Sequence, residues 1–213
     1  NSTGDNNTAI GANSLQANTT ASNNTAVGYQ AGYSNTTGSD GTYVGTQAGY
    51  YVTTGLQNTA VGTASLGRNS TTSATTGNYN SAFGQYSLTA LQSGSGNTGL
   101  GYRALQSNTT ASNSTAVGYQ SLYSQNGSGE NAALGASTLK FTTSGINNTA
   151  LGTYAALTNT TGSYNVAVGW SALYSNTTAT YNTALGYQAG YSNSTGNSNV
   201  FVGQASGYNT TST

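Results

Sequence analysis

The chain has 213 residues, yet only Asp5, Asp40, Arg68, Arg103, Glu130 and Lys140 carry charge, and it contains no His, Cys, Met or Pro. A formal net charge of zero excludes an electrostatic footprint for nucleic acid or an anionic membrane. The absence of Cys excludes disulfides, thiolate metal sites and thiol redox chemistry.

Low charge and few large aliphatics would fit disorder, but 17 Tyr, 3 Phe and Trp170 argue against it, because disordered chains are poor in aromatics. A polar chain without a bulky core needs another source of cohesion, and backbone ladders supply one. Apolar runs such as Ala132–Ala136 fall far short of the ~20 residues that a membrane helix needs. No leader or targeting tail is visible, so the chain is expected to be processed or a window of a longer array.

From the amino terminus onward, a glycine preceded by a bulky apolar residue recurs at Gly11, Gly28, Gly45, Gly62, Gly84, Gly101, Gly118, Gly135, Gly152, Gly169, Gly186 and Gly203. The interval is 17 residues throughout, except 22 between Gly62 and Gly84. The residue before it is Ile10, Val27, Val44, Val61, Phe83, Leu100, Val117, Leu134, Leu151, Val168, Leu185 or Val202. Two before it stands mostly Ala, with Tyr43, Gly99 and Phe201 as departures. Four before it stands Asn, replaced by Gly41 and Ser114 in two units. Three after it stands a small residue, and a polar run such as Asn35–Ser39 or Asn159–Ser163 closes the unit.

Each unit reads as strand, turn, second short strand and polar loop. Helix is excluded, because the units carry no 3.6-residue stripe and are full of Gly, Asn and Thr. The predicted fold is all-β: a single parallel β-solenoid over residues 1–213, of about twelve 17-residue coils. Coils stacked ~4.8 Å apart would bring the Asn column into side-chain amide ladders. The invariant glycine is expected at positive φ or where a neighbouring sheet comes close. Aligning residues 67–80 with an ordinary unit places five extra residues in Asn69–Gly77, a loop next to Arg68 that tolerates insertion.

The adjacent Ala and Val/Leu/Ile columns point to opposite faces of the strand. One arrangement fills a thin interior with Ala and Ser and packs the larger column against other chains about a threefold axis. The other is a monomer with the larger column inside and Ala exposed.

The segments Asn-Thr-Ala-Val-Gly-Tyr-Gln-Ala (Asn24–Ala31) and Asn-Thr-Ala-Leu-Gly-Tyr-Gln-Ala (Asn182–Ala189) resemble the head repeats of trimeric autotransporter adhesins. They are also similar to shaft repeats of phage tail fibres and of environmental surface-fibre proteins. The resemblance covers nearly the whole chain. It implies a left-handed roll, a homotrimer, and an extracellular, cell-surface or virion location. The unit departs from the adhesin pattern in being longer, with the excess in the Asn-Thr-Thr loop.

No catalytic constellation can be assembled. Without His or Cys the common nucleophile–base pairs are missing. Asp40 and Glu130 share a phase but sit five rungs apart, roughly 24 Å. Paired carboxylate chemistry needs roughly 5–10 Å. Asp5 and Asp40, two rungs apart and one position out of phase, have nothing else around them that suggests a site. The recurring Asp of calcium-binding solenoids is missing. The chain is therefore read as non-enzymatic, with no catalytic, cofactor or metal residues. The expected role is spacing, assembly or adhesion in a fibre, through self-association as a homotrimer or an end-to-end filament.

Three surface features are candidates for more. Tyr33, Tyr50, Tyr123, Tyr174, Tyr191 and Tyr208 share one column, five after the glycine; Tyr29, Tyr102, Tyr119, Trp170 and Tyr187 share another, directly after it. Such rows either bind surface glycans, as in an adhesin or tail-fibre head, or stack on one another and stiffen the rod. Asn18, Asn35, Asn69, Asn108, Asn159, Asn176 and Asn193 carry Asn-x-Ser/Thr patterns in the loop column and are candidates for glycosylation. Ice binding is a distant alternative, since the adjacent Thr-Thr pairs lie in a loop and do not alternate on one face.

Overall fold

The computed structural model describes residues 3–67, 74–127 and 129–211. Each coil contributes one short strand: β1 (Thr8–Ile10), β2 (Thr25–Val27), β3 (Thr42–Val44), β4 (Thr59–Val61), β5 (Ser81–Phe83), β6 (Thr98–Leu100), β7 (Thr115–Val117), β8 (Ala132–Leu134), β9 (Thr149–Leu151), β10 (Val166–Val168), β11 (Thr183–Leu185) and β12 (Val200–Val202). They pair in chain order, all parallel, into one twelve-stranded sheet, and the coils that carry them form a β-solenoid. The register preserves every column: Ala9 faces Ala26 and Ile10 faces Val27. Among the described residues no helix is long and apolar enough to cross a membrane.

The insertion does not disturb this register. Thr59 pairs with Ser81 across the 22-residue interval, and the ladder is back in phase at Thr75, whose carbonyl accepts the Thr53 N–H at 3.0 Å. Residues 68–73, including Arg68 and Asn69, lie outside the described residues.

The expected second strand does not form. After each glycine the chain runs through consecutive turns, in which the residues two and four after the glycine have positive φ, as at Arg103 (57°) and Leu105 (52°). The residue five before the glycine has positive φ as well, as at Asp40 (61°) and Tyr164 (59°). A left-handed non-glycine residue costs roughly 1–2 kcal/mol. Inter-coil bonds offset it. The Gln30 N–H donates to Ala12 of the preceding coil at 2.9 Å, and the Leu105 N–H donates to Ser121 of the following coil at 3.0 Å.

The asparagine column is a buried ladder. In the ninth coil the Asn148 N–H and Nδ2 both donate to Oδ1 of Asn131, at 2.9 and 3.1 Å. Nδ2 also donates to the Gly162 carbonyl at 2.9 Å, while Oδ1 accepts from the N–H and Nδ2 of Asn165. One side chain thus satisfies two neighbouring coils and a loop carbonyl, so a polar interior carries little desolvation penalty.

Around the ladder the core is thin. The Ala column is buried at Ala26, Ala60, Ala82, Ala116 and Ala184, and the leucines four after the glycine fill the remaining space, as at Leu66, Leu105 and Leu139. Ala is therefore inside. The aliphatic column faces out, with Ile10 60% and Leu134 48% exposed, alongside the outward Thr of the same strands.

Where a large residue enters the Ala column, glycines make room. Tyr43 is fully buried, and a Cβ added at Gly32, Gly49 or Gly41 would lie 2.9, 2.2 or 2.5 Å from its ring or hydroxyl. Gly41 replaces the ladder Asn in that coil, so the Tyr43 ring occupies space that an asparagine would claim. Phe201 repeats the device with Gly190 and Gly207.

The column glycine meets both sequence expectations. Gly118 has φ of +132°, and a Cβ there would sit 2.4 Å from the Gly135 carbonyl oxygen of the next coil. Gly118→Ala is expected to destabilise the fold by at least about 2 kcal/mol through strain and overpacking. Gly127→Ala, at φ of +89° but with nothing within 4 Å of the added Cβ, meets the backbone strain without the clash and should cost less, roughly 1–2 kcal/mol; denaturant unfolding of the pair checks the difference.

The Tyr43 hydroxyl is buried without a hydrogen-bond partner, and burial raises its pKa well above the usual phenol value. A raised folded-state pKa means that the unfolded chain loses this proton first, so its stabilising contribution is complete below about pH 10 and declines above it. Tyr43→Phe should match or exceed the parent in stability, by up to about 1 kcal/mol. It should also show a smaller alkaline loss, as read by melting temperature against pH.

Candidate functional site

Because identical phases stack, aromatic residues that share a column meet ring to ring. Tyr33 and Tyr50 stack with centroids 4.8 Å apart and planes 1° from parallel. Tyr174, Tyr191 and Tyr208 form a triple stack with both spacings at 4.9 Å. Tyr123 stands between Gln106 and Lys140 in the same column and has no ring above or below it. In the column directly after the glycine, Tyr102 stacks on Tyr119 at 5.5 Å and Trp170 on Tyr187 at 5.1 Å, while Tyr29 stands alone and exposed.

Where adjacent coils both carry an aromatic in one of these columns the rings stack, whereas Tyr29 and Tyr123 have no such partner. Ring faces are covered by the next coil, leaving edges and hydroxyls outward. Stacking stops where a column is interrupted by a non-aromatic residue, such as Thr153 beneath Trp170, Ala136 above Tyr119, or Gln106 and Lys140 beside Tyr123. Stacking also acts on charge: burial first, then the phenols of Tyr174 and Tyr208, raise the pKa of Tyr191.

Two aromatic positions escaped the sequence reading. Tyr164 and Tyr181, five before the glycine, stack at 5.0 Å. Tyr154, two after the glycine, meets Trp170 edge to face at 6.3 Å and 77°. Their phases were the available signal; they were obscured because polar residues dominate both columns.

The interrupted column at Trp170 opens a cleft. Tyr154, Trp170, Ser171, Tyr174 and Tyr191 line an open, shallow cleft of about 410 Å³ across the ninth to eleventh coils. It joins three columns, one, two and five after the glycine, and the Ser171 in its lining is buried. No charged side chain lines it. Elsewhere on this face Arg103 lies over Tyr102, its guanidinium carbon 4.9 Å from the ring centroid.

The acceptor-pattern asparagines are not surface residues. Asn18, Asn35, Asn108, Asn159, Asn176 and Asn193 are all buried, and their amides close the loop. Nδ2 of Asn35, for example, donates to the Gly38 carbonyl at 2.8 Å, and its Oδ1 accepts the Gly38 N–H at 3.0 Å. The acceptor pattern lies in the loop, but each of these asparagines turns inward, where its amide bonds the loop backbone. Asn69 lies outside the described residues.

The three carboxylates do not converge on a site. Asp40 accepts from Nδ2 of Asn23 at 3.1 Å, extending a short outer ladder that includes Asn6. Asp5 receives no such partner, though its N–H donates to Oγ of Ser22.

Tyr191→Ala removes two stacking contacts and should cost about 1–3 kcal/mol, at 0.5–1.5 kcal/mol per aromatic pair. Tyr123→Ala, with no ring contact to lose, should cost under about 1 kcal/mol; comparative thermal melts check the contrast. No protein family, curated protein or solved structure matches the chain.

Proposed function

We propose that this chain is a non-enzymatic structural segment of an extracellular fibre, at a cell surface or on a virion, that assembles laterally with copies of itself. The observation that carries the reading is the outward aliphatic column. Twelve coils present a continuous apolar stripe, from Ile10 to Val202, on the flat side of the sheet. Contiguous exposed apolar surface of this kind marks an interaction face.

A second copy is the partner that fits best. Its side chains recur at the same inter-coil spacing, so two such stripes interdigitate over their whole length, and neither carries a charge that would have to be desolvated. A shallow apolar trough of about 320 Å³ between Val117, Leu134 and Leu151, where Ala132 replaces the outward Thr, offers a seat for a neighbouring side chain. Closed rotational symmetry favours a small oligomer, and a homotrimer places all three stripes on one axis.

The strand face also alternates Thr with an aliphatic, the arrangement that the loop threonines lack. Leu100, Leu134, Leu151 and Leu185 project from that face, and Ala132, Val166 and Val200 interrupt the Thr column. An uneven surface favours packing against protein over ice.

Light scattering of the purified segment should give three times the 21.3 kDa chain mass. Leu134→Arg combined with Leu151→Arg should yield monomers that keep the β circular-dichroism signal, because both side chains already point outward. A monodisperse monomer from the unaltered chain would sink the proposal.

A further inference from the structure

We infer that the cleft at Trp170 is a binding subsite for a neutral saccharide, an activity separate from assembly and located on a different face of the coil. Its lining differs in kind from the apolar trough on the strand face. Tyr154, Trp170, Tyr174 and Tyr191 present aromatic rings, three of them with hydroxyls, and the Ser171 in the lining is buried; no aliphatic side chain contributes. A pyranose ring has the matching composition. One face is C–H rich and packs on an aromatic ring, and its rim carries hydroxyls that exchange hydrogen bonds with phenols. At about 410 Å³ the cleft lies within the range of small-ligand sites.

Charge narrows the class. The lining holds no Lys or Arg, so nothing in the cleft compensates a carboxylate or sulfate on the ligand. The contrast is Arg103, whose guanidinium lies beside Tyr102 and Tyr86 in the sixth coil and would suit an anionic sugar there. Availability of a ring face supports the assignment too. Most same-column rings cover each other, whereas beneath Trp170 the column continues with Thr153, so below its stack on Tyr187 the indole meets only Tyr154, edge to face, and the two rings stay 42% and 40% exposed.

Trp170 is the single tryptophan of the chain, so its emission reports on the cleft alone. Titration with maltohexaose, cellohexaose and mannohexaose should give a saturable change in that emission with at least one of them. Tyr154→Ala and Tyr154→Gln should each weaken the response at least about tenfold, roughly the 1.4 kcal/mol expected of one lost ring contact. Both replacements stand at the equivalent position in other coils, as Ala64 and Gln30, with the same positive φ, so the fold is retained. Tyr33→Ala, in a distant stack, should leave binding unchanged. Absence of a saturable response to every neutral oligosaccharide at millimolar concentration overturns the inference. So does a response only to a polyuronate, or an equal loss in Tyr33→Ala and the Tyr154 variants. The assembly reading is judged by mass, so either can fail without the other.

Discussion

The buried asparagine ladder is the interaction on which the remaining structure depends. A coil built from Ala, Gly, Ser and Thr has too little apolar surface to fold on burial alone, and each of its turns leaves backbone groups pointing inward. The ladder asparagine answers both problems, since its amide donates along the axis and across to the loop while its oxygen accepts from the next coil. Each bond contributes only about 1 kcal/mol net, but an unmade one leaves a buried group unpaired at about 1–3 kcal/mol. The ladder therefore fixes the period: a coil of any other length must return to phase before its asparagine, as the long fourth coil does at Thr75 and Asn80.

That requirement explains why departures from the column pattern come in sets. Tyr43 enters the Ala column only where Gly32, Gly41 and Gly49 withdraw side chains around it, and Phe201 only beside Gly190 and Gly207. In the seventh coil Ser114 shortens the ladder side chain and Gln125 lengthens the loop side chain, and Nε2 of Gln125 reaches Oγ of Ser114 at 2.9 Å. Close packing leaves no void to absorb a one-sided change. The interior behaves as a volume shared between adjacent coils, not as a set of independent columns.

The outer columns carry no such constraint and vary more freely, which is where function can reside. The aliphatic stripe is nearly uniform along the sheet and suits a partner with the same repeat. The aromatic columns are interrupted, and interruption is what exposes a ring face and shapes the cleft at Trp170. On the two proposals made above, regularity belongs to assembly and irregularity to recognition. Arg103 over Tyr102, in the sixth coil, shows the same face taking a different chemistry four coils below Trp170.

By itself the sequence determined the repeat, the parallel solenoid, the asparagine ladder and the positive φ of the column glycine, because each follows from residue identity at a fixed phase. It also established that the Ala and aliphatic columns face opposite ways, since side chains alternate along any strand. Only the tertiary structure decided which of them is inside, because that depends on how closely the turns behind the strand approach it. The turns replace the expected second strand through positive φ at Arg103, Leu105 and their equivalents, residues with no intrinsic preference for that conformation. Burial of Asn35 and its column likewise depends on the loop's need for a donor and acceptor, which a surface-acceptor pattern does not disclose. The cleft at Trp170 joins residues from three coils and three columns, so no single column could reveal it.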